Sequence, residues 1–330
     1  MDIRTELATT PSLTMPAFIS RDVPLHDKNW FGTGGSAEFF AAPTTAQEFA
    51  DALAWAEAHS LPVSVLGEGA NTLISDSGIK GMVIRPQLSA LELVDRSTEQ
   101  VLVKAGSGVS MNTLIEYCLN NNLTGLEEFS GIPGTVGGSV YINLHYFEFL
   151  LEQFLVCAEV INKKTGEWYS VDNEWFNFGY DYSTLHAEHH YLISATFKLK
   201  PSTAIETAYA RGRKAEIIRH RIKRYPSKGT CGSFFRNFHD HEVSLVSNGR
   251  KMIFVAYYLD KIGVKGQLKV GDAVVSYQHA NMIVNQGSAT STDIITLARA
   301  MQELVKKHFG VVPHPECRLL GFSSYPLMSE

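Results

Sequence analysis

Long apolar runs, concentrated positive charge and paired cysteine motifs are all missing from this chain, and each absence closes a class of function. No apolar stretch reaches the ~18 residues that a membrane-spanning helix needs, so no membrane partner is expected. The formal net charge of -5 speaks against general affinity for nucleic acid. Only four cysteines occur, Cys118, Cys157, Cys231 and Cys317, and none stands in a C-x-x-C pair. That spacing fits reduced thiols better than a disulfide frame or a zinc site, and no metal is expected. The stretch 1–28 has no continuous apolar core and scatters Asp2, Arg4, Glu6, Arg21 and Asp22 among prolines, unlike a secretory signal. A cytoplasmic protein is the expectation. Neither G-x-G-x-x-G nor G-x-x-x-x-G-K-[ST] stands in the context those signatures require, which disfavours a Rossmann or P-loop nucleotide site.

Glycine, in contrast, is present and clustered. The segment Ser130-Gly131-Ile132-Pro133-Gly134-Thr135-Val136-Gly137-Gly138 holds four glycines and one proline. That composition opposes a helix or strand interior and predicts a fixed loop. Its bare amides form the kind of concavity that holds a phosphate or lets a flat cofactor lie against backbone. Upstream, the strand-like Val63-Ser64-Val65-Leu66 runs into Gly67-Glu68-Gly69-Ala70-Asn71-Thr72. Two such loops suggest a dinucleotide.

With 330 residues, 45% of them hydrophobic and 19% charged, the chain can hold two or three compact units. Thr44 or Thr45 is placed to cap an amphipathic helix carrying Phe49, Leu53 and Ala56, which stops before Leu61-Pro62. Met82 to Ile84, Leu91 to Val94 and Val101 to Val103 read as strands, and Ser110 caps a helix carrying Met111, Leu114, Ile115 and Cys118. A hairpin follows, Phe154 to Ile161 turning at Lys164-Thr165-Gly166 into Trp168 to Val171, with Tyr191 to Leu199 as a further strand. Past Pro201-Ser202 the pattern turns helical, at Ala204 to Arg224, Leu245 to Ile262 and Ala289 to His308. The first of these carries Arg211, Arg213, Lys214, Arg219, Arg221, Lys223 and Arg224. A solvated face explains most of them, and those beside Tyr225-Pro226 are placed to meet a polyphosphate.

Six motifs, in order, resemble those of the UDP-N-acetylenolpyruvoylglucosamine reductase family. They are Phe31-Gly32-Thr33-Gly34-Gly35, Leu66 to Asn71, Gly131 to Gly138, Gly232-Ser233-Phe234-Phe235-Arg236-Asn237, His279-Ala280-Asn281 and Pro315-Glu316-Cys317-Arg318. The resemblance runs from about Asn29 to Gly321 and implies an α+β fold of the vanillyl-alcohol-oxidase type. On that basis residues 1–28 are an N-terminal extension, 29–200 an FAD-binding domain with subdomains of about 29–95 and 96–200, and 201–330 a substrate-binding domain whose C-terminal strand returns to the active site. It implies non-covalent FAD, held by Gly67, Glu68, Gly69, Ala70, Asn71, Thr72, Gly131, Ile132, Pro133, Gly134, Thr135, Gly137 and Gly138; neither loop has a histidine for covalent attachment. It also implies NADPH as electron donor and a UDP-sugar substrate, UDP-N-acetylglucosamine enolpyruvate, reduced to UDP-N-acetylmuramate for peptidoglycan precursors. In that reaction Ser233 is the general acid that protonates the carbanion, and Glu316 helps activate the enolpyruvyl carboxylate. Arg224, Arg236 and Asn237 match positions that meet the substrate's nucleotide. His279 and Asn281 read as a structural turn.

The chain also departs from the family. Where Asn-Ala-Gly is usual, Asn143-Leu144-His145-Tyr146 stands, and the Tyr-Arg-x-Ser motif that grips the substrate carboxylate reads Tyr180-Asp181-Tyr182-Ser183. A lone carboxylate facing a carboxylate is costly in a dry site. Asp181 is therefore expected to pair with a cation, most simply His145, with Arg211 and Arg213 as alternatives. The short run from Ser183 to Gly232 resembles compact members without the extra substrate loop. Another FAD oxidoreductase on this fold, or a non-catalytic flavin-binding relative, stays open as an alternative.

Overall fold

A computed structural model describes residues 14–97 and 99–329, so positions 1–13 of the expected extension lie outside the described residues. The chain enters as a strand, β1 (Ile19–Pro24), antiparallel to β2 (Ser36–Ala41). Ile19 is buried there, so this part of the expected extension is an edge strand of the first sheet. Helix α1 (Ala46–Ala58) follows, its first turn closed by Thr45, which accepts from the Glu48 amide. Its apolar face, Phe49, Leu53, Trp55 and Ala56, covers a sheet in which β3 (Val63–Val65) and β2 both run parallel to β5 (Ile79–Ile84). Between β3 and β5 the chain forms the first glycine loop and the short buried β4 (Thr72–Ile74).

The second unit begins with the hairpin β6 (Leu91–Arg96) and β7 (Val101–Gly106), then α2 (Met111–Asn120), capped by Ser110 as its spacing predicts. After β8 (Leu123–Thr124) the second glycine segment differs from the expected loop: Val136–Tyr141 is a short helix, α3, so Gly137 and Gly138 lie in its first turn. Thr135 makes this possible by accepting from the Gly138 amide (3.2 Å). A two-residue hairpin, β9 (His145–Tyr146) and β10 (Phe149–Leu150), leads to β11 (Leu155–Asn162), β12 (Trp168–Asp172) and the long β13 (His190–Pro201). Strand order is β12-β11-β13-β7-β6, with β8 beside the end of β13.

The basic helix α4 (Ala204–Arg224) packs on this second unit. Ala210 is buried in the unit's core, Lys214 pairs with Glu116 (2.8 Å), Arg213 with Glu128 (2.9 Å), and Arg211 donates to Asn120 (2.7 Å). Half of the basic face thus meets acidic and amide groups of α2 and the turn after it.

A third core gathers around Phe234, Phe235, Phe238 and Tyr258. Instead of one helix from Leu245 to Ile262, there is a hairpin, β14 (Val246–Ser247) and β15 (Arg250–Lys251), before α5 (Val255–Ile262). The cause is Asn248-Gly249: both residues are left-handed, φ 50 and 73, the combination that closes a two-residue hairpin. A small meander of β16 (Lys269–Val270), β17 (Ala273–Val275) and β18 (Ile283–Asn285) packs on α6 (Ser291–Phe309). Asp76 of the first unit ties this third unit down by accepting from the Ser291 and Thr292 amides at the start of α6 (2.8 and 3.1 Å). Last, β19 (Arg318–Leu320) returns to lie parallel to β4.

Candidate active site

The glycine segments meet at a cleft of about 750 Å³. The Gly134 amide donates to Glu68 Oε2 (3.0 Å), and a Cβ at Gly67 would come within 2.7 Å of Thr135 Oγ1, so the loops fix each other. All of Gly67 to Thr72, and Gly131 to Thr135 with Gly137 and Gly138, line the cleft. Gly134 needs its glycine for backbone reasons, φ +134. Gly138 does not: its φ is ordinary for a helix, and an added Cβ would meet no protein atom nearer than 3.7 Å. Space beside Gly138 is therefore kept open for something other than protein. Asn71 Oδ1 and Ser107 Oγ are buried in the same wall without a partner. Buried polar atoms left without a protein partner, beside glycine backbone with room for a ligand, fit FAD.

The far side of the cleft comes from the third unit. Phe235 bridges to Pro315, the Glu316 amide donates to the Phe234 carbonyl (2.9 Å), and Ser233 and Glu316 are thereby brought to one cavity. Asn281 locks this arrangement, donating to the Phe235 carbonyl (2.7 Å) and accepting from the Phe235 amide (3.1 Å), the structural role its motif predicts. Glu316 is half-buried in this wall. That burial, together with the charge of Asp181, holds its carboxyl protonated up to about 8.

Asp181 does have a partner of the expected kind: His145 Nδ1 stands 3.5 Å from its Oδ1. Arg211 and Arg213 are engaged elsewhere, as described. Tyr180 leans over the imidazole at 5.0 Å between centroids and accepts from Asn237 Nδ2 (3.3 Å). Asn237 lines the cleft, as expected. Arg236 does not; its guanidinium turns away to a two-point pair with Glu242 (2.8 and 2.7 Å), which pulls Glu242 down to about 2. Arg224 also lies off the cleft, exposed at the end of α4 with its guanidinium over Tyr225.

The cleft cation that sequence reasoning did not single out is Arg221. It lines the cavity, donates to the Gly131 carbonyl (3.0 Å) and lies between Tyr146 and Tyr225. Its signal was periodicity: it falls one turn beyond buried Ile217, on the face of α4 that packs inward. His279 also reaches the cleft, and burial with nearby Arg224 pushes its imidazole down to about 4, so it is neutral. Cys231 and Cys317 are buried free thiols beside Ser233 and Glu316, and desolvation raises the Cys231 thiol far above its ordinary range. Among the described residues no group of three or more metal-ligating side chains is found, and no helix is long and apolar enough to cross a membrane.

A flavin-dependent oxidoreductase, built from an FAD-binding unit and a C-terminal unit closing one cleft, is the class that this fold and site define. Residues 37–172 match the FAD binding domain family, and residues 224–320 match the C-terminal domain of UDP-N-acetylenolpyruvoylglucosamine reductase. The chain belongs to the UDP-N-acetylenolpyruvoylglucosamine reductase family. It is 32% identical over 301 residues to that reductase from Clostridium botulinum (strain Okra / Type B1), covering 91% of this chain and 92% of the relative. The reductase of Latilactobacillus sakei subsp. sakei (strain 23K) is 32% identical over 307 residues, 93% of this chain and 94% of the relative. The crystal structure of the Thermus caldophilus reductase superposes with a TM-score of 0.71 at 28% identity, covering 92% of this chain and 99% of that one.

Proposed function

We propose that the protein reduces the enolpyruvyl ether of UDP-N-acetylglucosamine to the lactyl ether of UDP-N-acetylmuramate, with NADPH as donor, in peptidoglycan precursor synthesis. The observation that carries this reading is the meeting of Ser233 and Glu316 across one cleft from the two glycine segments. Bound FAD supplies hydride transfer, and Gly67 to Thr72 with Gly131 to Gly138 hold it. Ser233 delivers the proton that the reduced carbon must gain. Glu316, protonated at neutral pH, donates a hydrogen bond to the acceptor's carboxylate and so draws electron density away from the enol carbon. Asn237 with Tyr180 forms a polar wall for the nucleotide part, and Arg221 offers the guanidinium for its phosphates, a role that the exposed Arg224 at the end of the same helix supports from outside.

The test is direct. Purified protein should carry FAD, be bleached by NADPH without oxygen, and regain its flavin absorbance when UDP-N-acetylglucosamine enolpyruvate is added. A colourless protein that takes up no FAD would overturn the cofactor assignment. A flavin that stays reduced in the presence of this acceptor would overturn the substrate and favour an oxidoreductase of the same fold with another acceptor.

A further inference from the structure

The acceptor's carboxylate must enter a cleft that already contains two carboxyl side chains, Asp181 and Glu316, close enough to act on each other. Something positive has to meet it. The arginines nearby have other work: Arg236 pairs with Glu242, Arg318 with Glu188 (2.6 Å), and Arg221, held at the Gly131 carbonyl, is given to the nucleotide's phosphates. His145 is different. It lines the cleft at the open end of the β9–β10 hairpin, opposite Leu150, its Nδ1 faces Asp181, and Tyr180 covers its ring.

Asp181 is shaped for holding rather than for contact with an anion. Its backbone is left-handed, φ 52, a conformation that aspartate tolerates at some cost and that persists where the surroundings demand it. One of its oxygens faces the imidazole, and the other is buried with no partner. Burial pushes the Asp181 carboxyl up and a positive ring at His145 pulls it back down, so a charge on either group is supported by a charge on the other.

Resting on the proposed function, we infer that the imidazolium of His145 is the group that binds the acceptor's carboxylate, and that Asp181 is a positioning residue that holds the ring for it. The histidine thus stands in for a guanidinium, and the aspartate belongs to the histidine and not to the substrate.

The experiment is steady-state kinetics on flavin-loaded wild type, His145→Gln, His145→Arg and the double variant His145→Gln/Asp181→Asn, with FAD content as the check on folding. Loss of a charge-assisted hydrogen bond predicts that His145→Gln raises KM for the acceptor ~10- to 100-fold, with a smaller change in kcat. His145→Arg, a permanent cation, should restore most of that loss. The double variant should recover part of it as well, because without the imidazolium Asp181 only repels the acceptor. A KM for His145→Gln within ~2-fold of wild type would overturn the inference while leaving the proposed reaction in place. So would a double variant worse than the single one. Failure of the wild type itself to reduce this acceptor is a different result, and it removes the proposed reaction and this inference together.

Discussion

At the scale of single residues, the site depends on protons held where water would not leave them. The Glu316 carboxyl sits above its ordinary value of 4.5, at about 8, because burial and the Asp181 charge both disfavour ionisation. Between those values the folded protein binds this proton and the unfolded chain does not, so the group's contribution to stability is fully present below about 4.5 and is lost as pH rises through about 8. Glu316→Gln should therefore flatten the fall in melting temperature of the protein between pH 5 and 8, read by thermal melts across that range. An unchanged slope would show that Glu316 ionises freely. Ser233 makes a separate prediction. Ser233→Ala should slow flavin reoxidation by the acceptor by ~10²- to 10⁴-fold in stopped-flow absorbance and slow flavin reduction by NADPH far less, because only reoxidation consumes its proton.

At the scale of elements, most of the framework was legible in sequence. Thr45, Ser110 and the long amphipathic pattern ending at Arg224 marked α1, α2 and α4 because capping and helical periodicity are local signals. Two elements were not. A run of apolar residues from Leu245 onward looked helical, but Asn248-Gly249 closes a hairpin within it, and turn chemistry overrode periodicity. Gly137 and Gly138 looked like loop, yet they open α3, because Thr135 caps the helix; a Cβ at Gly137 would crowd Ser107 (3.1 Å), whereas the space beside Gly138 is open. Both glycine segments, Ser233 and Glu316 could be named from motif order. The loss of Arg236 to Glu242, and the gain of Arg221, could not, since both depend on which side chains from distant segments come to face them. Gly138→Val tests the open space directly: it should abolish FAD retention while circular dichroism stays native, since no protein atom stands in its way. Asn281→Ala tests the lock on the catalytic wall. It strands the Phe235 amide and carbonyl, and a loss of ~2 to 4 kcal/mol in denaturant unfolding is expected, with activity falling alongside.

At the scale of the whole molecule, the third unit is joined to the first by Phe31 and Leu73 in its core, by Asp76 at the start of α6 and by β19 beside β4. Asp76→Ala should cost about 1 kcal/mol or more of stability, visible as a lower urea midpoint, because it leaves two helix-end amides unpaired. The β19 link concerns the order in which the protein is made. Asn71, at the edge of β4, and Glu316, just before β19, touch across 245 positions of chain. During synthesis β4 leaves the ribosome early and waits, an apolar strand with a free edge, until the last strand in chain order arrives. The cofactor cleft thus cannot be completed by a partial chain. Chains truncated before Arg318 should fail to retain flavin and should be cut readily by protease near β4, while released chains that include Leu320 should do neither. Cofactor retention then doubles as a report that translation has carried β19 clear of the ribosome.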